Sequence, residues 1–211
     1  MNGHMKPADI EKRSFAIITE ELGGRTFPES VAEVVKRVIH TSADFDYADN
    51  LCFSPDAVER AKAALEAGAT IVTDTNMALA GISKPTLAKL GGRAVCLMAD
   101  EDVAREAKER GVTRATVSME HAAKLDGPLI FAIGNAPTAL IRLHELMEEG
   151  AVSPALVIGV PVGFVNVVES KELFIGGETP YIIARGRKGG SNVAAAIVNA
   201  LLYQIVRREG F

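Results

Sequence analysis

The sequence predicts an α/β fold: a single doubly wound domain whose five-stranded, mainly parallel sheet carries helices on both faces, with a helical N-terminal extension. Three observations lead there. From residue 70 onward, short β-branched apolar runs alternate with helical stretches, the rhythm of crossover connections between parallel strands. The run Leu129-Ile130-Phe131-Ala132-Ile133 is apolar at every position, as a strand covered on both faces requires. The first quarter of the chain carries helical stripes without such runs. No linker or repeat divides the 211 residues, a length that suits one domain.

The elements follow in order. Pro7 suits a first helical position, and the stretch to Leu22 stops at Gly23-Gly24. A second helix begins at Pro28, with Val31, Val34, Val35, Val38 and Ile39 as its apolar stripe. Ser54-Pro55-Asp56 opens a third, with Ser54 as N-cap and Gly68 as stop. Strands are expected at Thr70–Asp74, Arg93–Met98, Leu129–Gly134, Ala155–Val160 and Tyr181–Arg185. The helices among them are Glu101–Arg110, Thr116–Leu125, Ala136–Glu149, Val167–Leu173 and Asn192–Arg208. Residues 13–211 form the domain and residues 1–12 a tail and helix start, with Met1–His4 readable as an added leader ahead of Met5.

Composition narrows the function classes. Apolar residues make up 48% and charged residues 24%, which excludes wholesale disorder. A net charge of −4, no Trp and 5% aromatic residues argue against a nucleic-acid partner. Cys52 and Cys96 form no CxxC; Cys96 reads as a buried inert thiol, and a reducing cytoplasm fits best. The N-terminus shows no signal peptide, and no apolar stretch approaches the roughly 20 residues that span a bilayer, so no membrane partner is expected.

In a doubly wound sheet, ligands bind beyond the carboxyl ends of the strands. The segments placed there are Asp74-Thr75-Asn76-Met77, Gly134-Asn135-Ala136-Pro137-Thr138, Gly159-Val160-Pro161-Val162-Gly163-Phe164 and Arg185-Gly186-Arg187-Lys188-Gly189-Gly190-Ser191. The last joins two arginines and a lysine to a helix N-terminus, a combination suited to carboxylates or phosphates. It is equally compatible with an exposed basic turn. The Gly134–Thr138 segment is similar, with ordinary turn chemistry as its alternative. Among the histidines, His144 falls in a stripe with Leu140, Leu143 and Met147 and reads as packed, while His121 and His4 give no functional signal. His40 lies about opposite the valine stripe at 100° per residue, sharing the polar side with Arg37. It is either a solvated helix end or a proton donor or acceptor facing an anionic ligand. No HExxH, GxGxxG, GxxxxGK[ST] or GxSxG occurs, so no metal site, dinucleotide fingerprint, P-loop or nucleophile elbow is read.

Seven segments in sequence order resemble one family. They are Arg13-Ser14-Phe15, Arg37-Val38-Ile39-His40, Phe53-Ser54-Pro55-Asp56, Gly134-Asn135-Ala136-Pro137-Thr138-Ala139-Leu140, Pro161-Val162-Gly163-Phe164-Val165, Glu169-Ser170-Lys171, and Arg185-Gly186-Arg187 with Gly189-Gly190-Ser191. They are similar to the precorrin-8X methylmutases, which include the cobalt-precorrin-8 methylmutases of cobalamin biosynthesis. The resemblance implies an isomerase that moves a methyl group from C-11 to C-12 of a corrin precursor, giving hydrogenobyrinate, or cobyrinate when cobalt is present. It implies a tetrapyrrole substrate, no cofactor, and a homodimer with the active site near the subunit interface. His40 matches the family histidine that protonates the macrocycle. Ser14 and Arg37 match substrate contacts, and Arg114 stands where the family carries a basic contact. Asn135, Arg185, Arg187 and Ser191, in the matched loops, complete the expected substrate-binding set, while Lys188 takes no role. A tetrapyrrole-binding protein that sequesters without converting is the alternative. A nucleotide-dependent oxidoreductase is disfavoured by the missing fingerprint.

Overall fold

The computed structural model describes residues 6–206. The reading of Met1–His4 and Met5, and the last residues expected of the final helix, lie outside the described residues.

The chain opens with helices α1 (Pro7–Leu22), α2 (Glu29–Ser42) and α3 (Tyr47–Asn50), then strand β1 (Leu51–Phe53) and α4 (Ala57–Glu66). The alternating part comprises β2 (Thr70–Thr73), α5 (Asn76–Gly81), α6 (Lys84–Lys89), β3 (Arg93–Val95), α7 (Glu101–Arg110), α8 (Arg114–Ala122) and β4 (Leu129–Ile133). It continues through α9 (Pro137–Glu148), β5 (Leu156–Gly159), α10 (Val167–Glu172), β6 (Tyr181–Ala184) and α11 (Ser191–Ile205).

The sheet has six strands, ordered β1-β6-β5-β4-β2-β3, rather than the expected five. The additional strand is β1, which pairs antiparallel with β6 and sets Cys52 opposite Ile183. The other pairings are parallel, with Val72 beside Phe131, Ile130 beside Leu156 and Ile158 beside Ile182. Ser54 does not cap α4: its hydroxyl accepts from the Tyr181 N–H at 2.9 Å, extending the β1–β6 ladder, and Asp56 holds the N-cap position in a left-handed conformation. The expected strand from Arg93 to Met98 stops at Val95 and passes into a 3₁₀ turn at Leu97–Ala99. Asn76-Met77 is not loop but the start of α5, capped by the Thr75 hydroxyl, which accepts from the Ala78 N–H at 3.1 Å.

Strand alternation divides the core into two layers. Ile71, Ile130, Ala132, Ile158 and Ile182 face α2, α4 and α11, whereas Val72, Phe131, Ile133, Val157 and Ile183 face α8 and α9. The central strands are buried at every residue, as their unbroken apolar sequences require. Successive strands run outward on both sides of the β2–β4 boundary, which is the point where the winding reverses. Loops leaving β2 and β4 there part toward opposite faces of the sheet, and a crevice opens between them. Among the described residues no helix is long and apolar enough to cross a membrane.

Candidate active site

The crevice at the reversal point is filled from within. Asp74, directly after β2, is 1% exposed and its carboxylate accepts the N–H groups of Gly134 at 2.9 Å, Asn135 at 2.8 Å and Ala136 at 2.6 Å. Burial outweighs those three donors and pushes its pKa above the ordinary aspartate value. The backbone donors expected to meet an outside anion are therefore occupied, and what Asn135 presents outward is its exposed side-chain amide. Ser191, at the start of α11, is likewise engaged: its hydroxyl lies 2.7 Å from that of Thr75. Gly134 is needed here because a Cβ would sit 2.7 Å from the Ser191 Cα.

The remaining rim is basic. Arg185 and Arg187 are both exposed, the first 3.3 Å from the Glu172 carboxylate and the second with its guanidinium 5.4 Å from the Phe164 ring centroid. Phe164 and Val165, in the loop after β5, are 81% and 78% exposed, so an apolar lip stands beside the two arginines. Arg114, the first residue of α8, is exposed, and the preceding Thr113 hydroxyl donates to that of Thr138 at 3.3 Å, which brings the start of α8 to the start of α9, just beyond the Asn135 loop.

His40 and Ser14 occupy the neighbouring corner. Both line a hollow of about 220 Å³ between α1 and α2, together with Ile17, Ile18, Ile39 and Phe45. His40 is exposed near the C-terminal end of α2, its ring 5.4 Å from that of Phe15. Arg37 is less available than its helical phase implied. It pairs with Glu11 at 2.6 Å and lies 4.6 Å from the Phe15 ring centroid and 5.4 Å from that of Tyr203, so it ties α1 to α2. The corner and the rim meet through Lys188, whose ammonium is 2.6 Å from both Asp44 and Asp46, just beyond α2.

The match to known proteins covers this whole framework. The precorrin-8X methylmutase family model matches residues 9–204. The chain belongs to the precorrin-8X methylmutase family. Within that family it is 47% identical over 208 residues to the cobalt-precorrin-8 methylmutase of Salmonella typhimurium, covering 95% of this chain and 96% of the relative. It is 43% identical to the precorrin-8X methylmutase of Pseudomonas aeruginosa, covering 91% and 93%. The solved precorrin-8X methylmutase of Thermus thermophilus superimposes with a TM-score of 0.84 at 39% identity, over 92% of this chain and 95% of that one.

For a member of the precorrin-8X methylmutase family, the residues that sequence reasoning passed over are instructive. Asp74 ends an apolar strand at the carboxyl edge, which is a legible signal. Lys171 lay within a recognised segment, yet nothing in its spacing showed that it would be buried beneath the arginine loop. Among the described residues the two other histidines stand apart from the corner: His121 lies 2.8 Å from Glu106, and His144 packs edge-on against Phe174 at 5.6 Å, as its stripe indicated, while His4 lies outside the described residues. Cys96 is half-buried rather than buried, and Cys52 likewise. Among the described residues no three His, Cys, Asp or Glu side chains gather as metal ligands.

Proposed function

We propose that this protein is the isomerase that moves a methyl group from C-11 to C-12 on ring C of precorrin-8X or cobalt-precorrin-8, with His40 as proton donor and acceptor. The observation that carries the reading is the placement of His40: an exposed imidazole at a hollow lined by Ile17, Ile18, Ile39 and Phe45, with Ser14 and the carboxylate of Glu21 also in its wall, joined through Lys188 to a basic rim. The substrate is a large, mostly apolar ring with carboxylate arms. Arg114, Arg185 and Arg187 take the arms, Phe164 and Val165 lie against the ring, and Ser14 and the Asn135 amide complete the contacts. Charge-assisted bonds of this kind contribute about 1.5–3 kcal/mol each when sheltered from water. Arg37 acts chiefly by fixing Phe15 and Ser14 against His40, and Ser191 by fixing its loop through Thr75.

The chemistry asks little of the protein. The methyl group leaves one ring carbon for its neighbour within one molecule, so no external acceptor or oxidant enters the balance. His40 donates a proton to the macrocycle, the methyl group migrates, and the proton returns to the imidazole. What the enzyme supplies is the tautomer, the conformation and a place for the developing charge. A hollow of about 220 Å³ is smaller than the roughly 300–1,000 Å³ that usually encloses a small-molecule ligand. We read it as one wall of a site that a second copy of the chain completes, in a cytoplasmic homodimer.

The test is His40→Ala, assayed by the absorbance change on incubation with metal-free and cobalt-bearing precorrin-8, with mass measured alongside. Product of equal mass and altered spectrum is expected from the wild type. The variant should keep its melting temperature and lose about 10²–10⁴-fold in turnover. Near-normal turnover removes the proton role. Tight binding of substrate by the wild type without conversion supports sequestration instead.

A further inference from the structure

Lys171 lies on α10, beneath the arginine loop, and is 0% exposed. Its ammonium donates to the carbonyl oxygens of Gly186 at 2.8 Å and Lys188 at 2.9 Å. The carbonyl between them, that of Arg187, accepts the Gly163 N–H at 3.1 Å. Three consecutive carbonyls of the loop are thus gripped from below while its side chains face outward. No carboxylate shares the ammonium's pocket: among the described residues, Glu169 is exposed, Glu172 faces Arg185, and Asp44 and Asp46 face Lys188.

Burying an ammonium without a counter-charge is unfavourable, and an alkyl side chain would fill the same volume without that cost. What lysine adds is donors, two of which converge on carbonyls two residues apart. We propose that Lys171 is a positioning residue, its buried ammonium holding the Gly186–Lys188 turn so that Arg185 and Arg187 are presented to the substrate in a fixed direction. This rests on the reading that those arginines hold the carboxylate arms. Burial also lowers the Lys171 pKa to about 8. Ordinary carboxylates and guanidiniums keep their charge between pH 7 and 9, and the two aspartates hold the Lys188 pKa above the ordinary lysine value. Within this group, then, Lys171 is the one that loses its charge in that interval, and a neutral amine grips carbonyls less firmly.

The experiment compares steady-state kinetics of wild type, Lys171→Met and Arg187→Met with precorrin-8X from pH 7 to 9. It adds amide hydrogen exchange over residues 185–190. The expected result for Lys171→Met is a KM raised about tenfold or more, with a smaller change in kcat and faster exchange in that segment. The wild-type KM should climb severalfold as pH rises through about 8, and the variant's should not. A wild-type KM in Lys171→Met overturns the inference. Should that variant fail to fold, amide exchange in the wild type decides instead: exchange at residues 185–190 as fast as in an unprotected loop overturns the inference equally, because a turn held from below is slowed. Arg187→Met separates the two readings. A raised KM there with a normal KM in Lys171→Met overturns the positioning role alone. An unchanged KM in Arg187→Met overturns the arm-binding reading and this inference with it.

Discussion

Asp74 carries a carboxylate to a point that water does not reach and gives it three backbone partners. Such a group is costly to bury, and it is tolerated because it satisfies donors that would otherwise be orphaned at the mouth of the β4–α9 loop. Asp74→Asn tests this. One amide oxygen can still accept from Asn135 and Ala136, but the amide nitrogen then faces the Gly134 N–H. The expected loss is about 2 kcal/mol in urea unfolding, with turnover reduced as the Asn135 loop shifts. A variant as stable as the wild type shows the three bonds to be incidental. His40 presents the opposite case. Its distance from the valine stripe told of exposure but left two meanings open, and the hollow beside it, shared with Ser14, is what favours the chemical one.

At the scale of elements, the helices α7, α8 and α9 are tied together on their outer side by ions. Glu120 on α8 pairs with Arg110 on α7 and with Arg142 on α9, the latter at 2.9 Å. Those hydrogen bonds, the one from Arg110 foremost, hold the Glu120 pKa below the usual glutamate value. Its native pKa being depressed, Glu120 contributes stability that is present above pH 4.5 and is lost as pH falls through the lower native value. Glu120→Gln is therefore expected to unfold more readily at pH 7 and to lose less stability on acidification than the wild type. Parallel stability–pH curves for the two proteins would contradict this. Elements were unevenly readable in the sequence. The long stripes of α2, α9 and α11 declare themselves, whereas β1 is three residues long and half-buried, without the apolar run that marked the other strands. It exists because β6 offers an unpaired edge, and Ser54 and Asn50 extend the pairing from either end.

On the proposed function, the whole molecule offers a chain of net charge −4 a way to receive a polyanionic ring. Charge is sorted rather than balanced. Arg185 and Arg187 stand on the rim and Arg114 at the start of α8, while many acidic groups elsewhere are consumed in pairs such as Glu120 with Arg110 and Asp44 with Lys188. Beside the arginines, Phe164 and Val165 leave most of their surface to solvent, and Met77 is 71% exposed. A monomer gains nothing from exposing them; a second copy or a macrocycle would cover them. The proposed homodimer makes a measurable prediction: sedimentation should report twice the chain mass at micromolar concentration. Phe164→Glu should shift the protein toward monomer or raise KM, according to which partner covers that side chain. A wild-type protein that stays monomeric at every concentration tested ends the dimer reading.

By itself, the sequence determined the class of fold, the positions of the four fully buried strands β2, β4, β5 and β6 and the faces of the long helices, because burial on two sides leaves a local pattern that no neighbour can disguise. Strand β3, with no residue fully buried, was read too long. It also held the ordered segments on which the family resemblance rests. Only the tertiary structure decided which groups are spoken for. Asp74 takes the N–H groups of the Asn135 loop, Thr75 takes the Ser191 hydroxyl, Glu11 takes Arg37, and Lys171 sits under the arginines. Those pairings span between 15 and 116 residues of chain, or 26 for Arg37 with Glu11, and are set by where the strands end in space. Spacing along a chain carries no record of such distances, so availability for chemistry had to be read from the folded molecule.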